Sequence, residues 1–364
     1  MTYKQALYFI GEVLSLNAYP ERKTSVKLQL ELGVNWDELV RYSTGHMVFQ
    51  AVYLNLKRAD LLNYLPKDLV EYAAKLTQLN RVRNLAILKQ TKAIQSLLNQ
   101  QGIEPVFLKG TALLLENLYQ DIGERMVGDI DFLVSEDQIV PAATFLKVLG
   151  YQSKGAFIAQ EQSQSKHYPR LTHPNEIAAL EIHWAVVAKP FHKTLAYREI
   201  FRDKWQVNGF YVPSYPHQAI HNLMNTQVND KGLLYGKIMM RQMYDGFMLS
   251  FKPEVLEALS NFKAVFYRKN SYLKLIKHLF NRAQLPVKET IGLKFVMWRY
   301  YLSINFTKMN RMVKDVMYFS GRFMHYFITT AQACYKKEVR TYLYRRLSNL
   351  AWYKQHVRSY KNRP

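Results

Sequence analysis

The stretch RMVGDIDFLV, residues 125–134, places two aspartates two positions apart inside an apolar run. A strand alternates its faces, so Asp129 and Asp131 point the same way. Two carboxylates side by side repel each other and are costly to desolvate unless a cation or a proton lies between them. A chain that carries this segment must therefore bring a cation or a proton to one strand face.

The grammar on either side differs. Residues 1–100 read as helical: WDELVRYSTGHMVFQAVYLNLKRA and LVEYAAKLTQLNRVRNLAILKQTKAIQSLLNQQG carry apolar residues at three- and four-residue spacing, and Gly102 is a helix stop. EPVFLKG then reads as a short strand, TALLLENLY as a helix, QDIGERMVG as a loop and DIDFLV as a strand. EDQIVPAATFLKVLG follows as a helix, residues 151–177 read as loop, and AALEIHWAVV reads as a third strand. This order describes a small α/β unit over 101–207. From 208 to 364 the chain turns helical again. The expected architecture is α+β, a small mixed-sheet core between an N-terminal helical region (1–100) and a C-terminal helical, strongly basic one (208–364).

Charge is unevenly spread. Of a net +22, residues 258–364 hold 22 Lys/Arg against three acids (Glu289, Asp315 and Glu338), a net of +19. Such asymmetry suggests a polyanionic partner such as nucleic acid or an anionic membrane surface; a solvated helical face is the plainer reading. The tail YKKEVRTYLYRRLSNLAWYKQHVRSYKNR interleaves aromatics with cations. It suits base stacking as well as it suits a plain amphipathic helix. No run of about 18 uncharged apolar residues suggests a membrane span, and the N-terminus reads as an amphipathic helix and not a signal peptide. The single cysteine, Cys334, excludes an intrachain disulfide, fits a reducing cytoplasm and carries no reactive signature.

Hard carboxylate oxygens suit Mg²⁺, which binds through one or two carboxylates with water and phosphates completing an octahedron, so Asp129 and Asp131 form a candidate metal site. Upstream, Gly110 and Thr111 follow a strand and open a helix, a place where backbone N–H groups can meet a phosphate. Downstream, Glu181 in LEIHW supplies a third carboxylate. The histidines carry less. His217 and His221 lie four apart but lack a third ligand at a persuasive spacing. His183 reads as packed and hydrogen-bonded, on the face of Glu181 only if the strand twists or bulges. His167 and His173 lie in the loop beside the presumed site.

The combination FLKGTALLLENLY, RMVGDIDFLV and ALEIHW resembles the polymerase-beta-type nucleotidyltransferase superfamily, and within it the bacterial "uncharacterised nucleotidyltransferase" family. The resemblance spans roughly residues 1–250. It departs from the superfamily in having Thr111 where glycine or serine usually follows Gly110, and in a longer gap from Gly110 to Asp129. It implies transfer of an NMP from an NTP, ATP foremost, to a hydroxyl by a two-metal mechanism using Mg²⁺ or Mn²⁺. Asp129, Asp131 and Glu181 would be the catalytic and metal-holding residues, and Lys109, Gly110, Thr111 and Arg125 the nucleotide-binding ones. For Arg125 a salt bridge that fixes the loop onto an aspartate is the other reading. The acceptor is unspecified; the basic third suggests an RNA such as tRNA. The competing expectation is a non-catalytic module that binds nucleic acid or an anionic membrane on the same scaffold.

Overall fold

The computed structural model of the chain describes residues 1–153 and 166–348. Two compact units emerge, residues 1–305 and 306–364.

The first unit begins with helices α1 (Tyr3–Leu14), α2 (Lys23–Glu31), α3 (Trp36–Gly45) and α4 (Phe49–Arg58). Thr2 caps α1 reciprocally with Gln5, satisfying free N–H groups at the helix start. Helix α5 (Lys67–Gln100) runs 34 residues, roughly 50 Å at 1.5 Å per residue, and the chain leaves it through Gly102 in the left-handed region. A seven-stranded mixed sheet follows: β1 (Val106–Phe107), β2 (Asp129–Leu133), β3 (Gln152–Ser153), β4 (Leu171–Thr172), β5 (Ala179–His183), β6 (Trp205–Val207) and β7 (Phe210–Val212). Its spatial order is β3-β4-β5-β2-β1-β7-β6. Helices α6 (Lys109–Leu115) and α7 (Ile139–Val148) lie between the first strands, and α8 (Tyr197–Arg202) precedes β6.

The central strands β2 and β5 run parallel, and their register sets Asp131 opposite Glu181 and Leu133 opposite His183. Alternation then divides the sheet into two faces. Phe107, Ile130, Phe132, Leu180 and Ile182 pack with Ile87, Ile94 and Leu98 of α5 and Ala142 and Leu146 of α7. Val106, Leu108 and Leu133 join a second core built from α1, α4 and the helices after the sheet. Those helices are α9 (Tyr215–Met224), α10 (Gly232–Tyr235), α11 (Met240–Leu249), α12 (Pro253–Asn261), α13 (Phe266–Phe280) and α14 (Ile291–Asn305). Burial on both faces is what a sheet with parallel central strands requires.

The expected α+β architecture, a mixed sheet between helical flanks, is the one observed. Two hairpins go beyond the expectation. The segment 151–177, read as loop, contributes β3 and β4, and β6 with β7 forms an antiparallel pair against β1. The second unit holds α15 (Thr307–Tyr335) and α16 (Lys337–Leu347), with Cys334 exposed. Among the described residues no helix is long and apolar enough to cross a membrane.

Candidate active site

Two strands bring the acidic residues together. Asp129 and Asp131 lie on one face of β2, and Glu181 lies on the neighbouring parallel strand directly opposite Asp131. His183, two residues beyond Glu181, shares its face by simple alternation, so no twist or bulge is needed to place it there. Its Nε2 donates to Asp131 Oδ1 at 2.9 Å and lies 3.5 Å from Glu181 Oε2. The expectation of a packed, hydrogen-bonded His183 matches this geometry; the requirement for a distorted strand does not.

Lys109 supplies the positive charge that the paired aspartates demand. Its ammonium forms an ion pair with Asp131 and lies 3.7 Å from Glu181 Oε2. Lys109 opens α6 with a left-handed backbone (φ +52°), a conformation costing about 1 kcal/mol for a residue with a side chain. The ion pair offsets that strain. Leu108 N–H donates to Asp131 O at 2.9 Å, which holds the β1–α6 junction against β2.

Electrostatics within the cluster are unequal. Burial alone would raise Asp131, but Lys109 and His183 outweigh it and hold the carboxyl well below its ordinary range. The hydrogen bond from His183 likewise holds Glu181 low against burial. Asp129 goes the other way: burial, then repulsion from Asp131 and Glu181, raises it, and Lys109, followed by Arg170 at 3.7 Å, offsets only part. Burial opposes the Lys109 ammonium, yet Asp131 and Glu181 leave its pKa above normal. The cluster thus holds more negative than positive charge, and Asp129 is the carboxylate least served by the cations present.

That imbalance bears on metal binding. Asp131, Glu181 and His183 each offer one ligand atom, all within 4.8 Å of one another. The group is two carboxylates and one imidazole, a donor set able to hold a divalent metal ion, and Asp129, on the same face of β2, is not among the three. The residues fit such an ion.

The remaining expected residues take other partners. Gly110 is buried, and a Cβ there would lie 3.0 Å from Val127 Cγ2 and 3.2 Å from Arg125 Nη1, so the position suits glycine by close approach. Thr111 is fully buried, and its hydroxyl donates to Asp129 O at 3.4 Å. Arg125 makes a buried two-pronged pair with Asp245 of α11, at 2.9 and 2.7 Å. The loop that leads into β2 is therefore tied to α11 behind the sheet. His167 bridges to His183, with ring centroids 5.2 Å apart. His173 instead packs on Tyr151. His217 and His221 diverge: the former sits beside Ser214 and Asp203, the latter is buried next to the cluster.

Four residues near the cluster escaped the sequence analysis as site candidates: Lys166, Asn225, Arg241 and Asp245. Asn225, Arg241 and Asp245 lie far in sequence from the motifs, and Lys166 lies beside His167 in the segment read as loop. Only Asp245, an acid inside the apolar helix MRQMYDGFML, carried a local signal of burial.

Fold and cluster together define an α+β protein with a nucleotidyltransferase-like core: a mixed sheet with clustered acids on adjacent parallel strands. A family model described as "Uncharacterised nucleotidyltransferase" matches residues 33–256, which include every member of the cluster. The chain belongs to that uncharacterised nucleotidyltransferase family. Among solved structures, the crystal structure of JHP933 from Helicobacter pylori is similar over 67% of this chain and 97% of that one. Identity is 13% and the TM-score 0.31, a likeness too loose to bear on fold or chemistry. No curated protein matches the chain.

Proposed function

We propose that this nucleotidyltransferase moves an NMP from an NTP, ATP foremost, onto a hydroxyl of its acceptor. The observation that carries the proposal is the in-register pairing of Asp131 with Glu181, with Asp129 on the same face of β2. Asp129, Asp131 and Glu181 would hold Mg²⁺ or Mn²⁺, here taken as a pair of ions. Bound there, such ions would supply positive charge to the attacking and leaving oxygens. The acceptor oxygen forms a bond to the α-phosphorus, the bond from that phosphorus to the β-phosphate bridging oxygen breaks, and pyrophosphate leaves. Glu181 accepts the hydroxyl proton, directly or through one water.

Lys109 is the phosphate-facing cation of this reading, released from Asp131 when other positive charge reaches the carboxylates. Gly110 and Thr111 set the turn that carries it. Arg125 acts through Asp245, holding in place the loop that leads into β2. The acceptor class favoured by the +19 between residues 258 and 364 is an RNA such as tRNA.

Asp129→Ala tests the chemistry most cleanly, because Asp129 is half-buried and poorly compensated. Incorporation of labelled nucleotide should fall at least 100-fold with the melting temperature nearly unchanged. Asp131→Ala should abolish incorporation too, but with a loss of stability, since it strands Lys109. Wild-type incorporation by Asp129→Ala would rule the assignment out.

A further inference from the structure

An amphipathic helix in a water-soluble domain turns its apolar stripe to the core. Helix α15, 29 residues long, does the reverse. Among its described side chains the buried ones are Asn310, Thr329 and Ala333. Large apolar ones stand in solvent: Met312 is 69% exposed, Val316 67%, Phe323 73% and Phe327 64%. Their spacing of three to four residues, or two turns, keeps them on one side of the helix over roughly 22 Å at 1.5 Å per residue. Met324 and Ile328, also exposed, widen that side along one edge. A contiguous apolar face of this extent marks a surface that meets a partner.

Charge narrows what the partner is. The second unit, residues 306–364, holds 13 Lys/Arg against two acids, Asp315 and Glu338, a net of +11. Lys308 and Arg311, both exposed, flank the edge of the stripe opposite Met324 and Ile328. A second copy of this chain would cover the apolar side chains but set +11 against +11. RNA would meet the cations, but Met312, Val316, Met324 and Ile328 have no ring on which a base could stack. An anionic lipid surface meets both demands at once, with headgroup phosphates for the cations and acyl chains for the stripe. The helix would lie along such a surface, since no helix among the described residues is long and apolar enough to cross a membrane.

We infer that the second unit docks on anionic lipid, with α15 in the headgroup plane and Met312, Val316, Phe323 and Phe327 among the acyl chains. The inference goes beyond the proposed nucleotidyl transfer and does not depend on it. Cations draw the helix to the surface and the apolar stripe holds it there, so both kinds of side chain contribute.

The test is co-sedimentation of the full chain with vesicles of phosphatidylcholine alone and with vesicles containing about one-third phosphatidylglycerol. Wild type should bind the anionic vesicles at least about tenfold more tightly than the neutral ones. The double variant Phe323→Gln, Phe327→Gln adds no charge and should weaken that binding about tenfold or more. Both positions are exposed, so its helical circular dichroism should match wild type. Lys308→Gln, Arg311→Gln should weaken binding as well, and Leu32→Gln, which alters an exposed leucine of α2, should leave it unchanged. Wild type binding neither vesicle would overturn the inference. So would a Phe323→Gln, Phe327→Gln variant that binds as tightly as wild type, because charge alone would then explain adsorption. Without vesicle binding, tRNA retention lost in the same variant would give the face to nucleic acid. A dimer in sedimentation equilibrium that the variant dissociates would give it to a second copy. Either result replaces lipid as the occupant and overturns the inference.

Discussion

Arg125 and Asp245 are 8% and 4% exposed and bond each other through two parallel hydrogen bonds. Despite burial, Asp245 raises the Arg125 pKa, and the short reach of the Tyr119 hydroxyl to the same carboxylate completes the group. Removing one member of a buried pair strands the other, at a cost of about 3–5 kcal/mol. Asp245→Asn should lower the free energy of urea unfolding by that order, and the Arg125→Met, Asp245→Leu double variant by distinctly less. A double-variant loss equal to the sum of the Arg125→Met and Asp245→Leu losses taken singly would mean that the pair contributes no coupling. At this scale the sequence was informative where chemistry is local. Acids two apart in an apolar strand declare a shared face, and Glu181 declares itself likewise inside LEIHW. The same alternation already puts His183 beside Glu181. Arg125 is different: its partner lies 120 residues away on α11, and nothing within RMVGDIDFLV separates an ion pair to a distant aspartate from a contact to phosphate.

Among the elements, α6 shows how a helix end joins three pieces of structure. Glu116 at its C-terminus accepts from Gln218 Nε2 of α9 at 2.8 Å and from Trp205 Nε1 of β6 at 3.1 Å. Burial pushes its carboxyl up to about 7, against the opposing effect of those two hydrogen bonds. The folded chain therefore holds the Glu116 proton more tightly than the unfolded chain, whose value is near 4.5. Stability from this group is complete below about pH 4.5 and declines as the pH rises through about 7. Glu116→Gln, a permanent mimic of the neutral acid, should match wild type in melting temperature near pH 4.5 and exceed it at pH 8. The gain should reach at most about 3 kcal/mol. Parallel melting curves for the two proteins across that range would refute the assignment. Element types followed the length of their signal. The 34-residue periodicity of α5 was plain, as were β2 and β5 with five residues each. Strands β3, β4, β6 and β7 have two or three residues, too few for alternation to show, and exist because neighbouring strands complete their hydrogen bonds.

At the scale of the whole molecule, charge and match separate. The family match ends at residue 256, and the +19 region begins at 258. If that region meets RNA, binding of the full chain should weaken steeply with added salt, because each neutralised phosphate releases a counterion. Filter binding between 50 and 300 mM salt would show it, and a flat response would exclude a phosphate-dominated contact. The basic bias is readable from the sequence alone because charge needs no fold to be counted. What it recognises depends on which cations share a surface, which counting does not reveal. The central claim concerns which phosphorus is attacked, and it is met most directly by paired labelling. The full chain, Mg²⁺ or Mn²⁺ and a cell extract are incubated with ATP labelled at the α-phosphate, and in parallel with ATP labelled at the γ-phosphate. The account predicts α-label fixed to one acceptor class, γ-label recovered only in pyrophosphate, and neither with Asp129→Ala. Label transferred from the γ-position, or α-label fixed equally by wild type and Asp129→Ala, would contradict it.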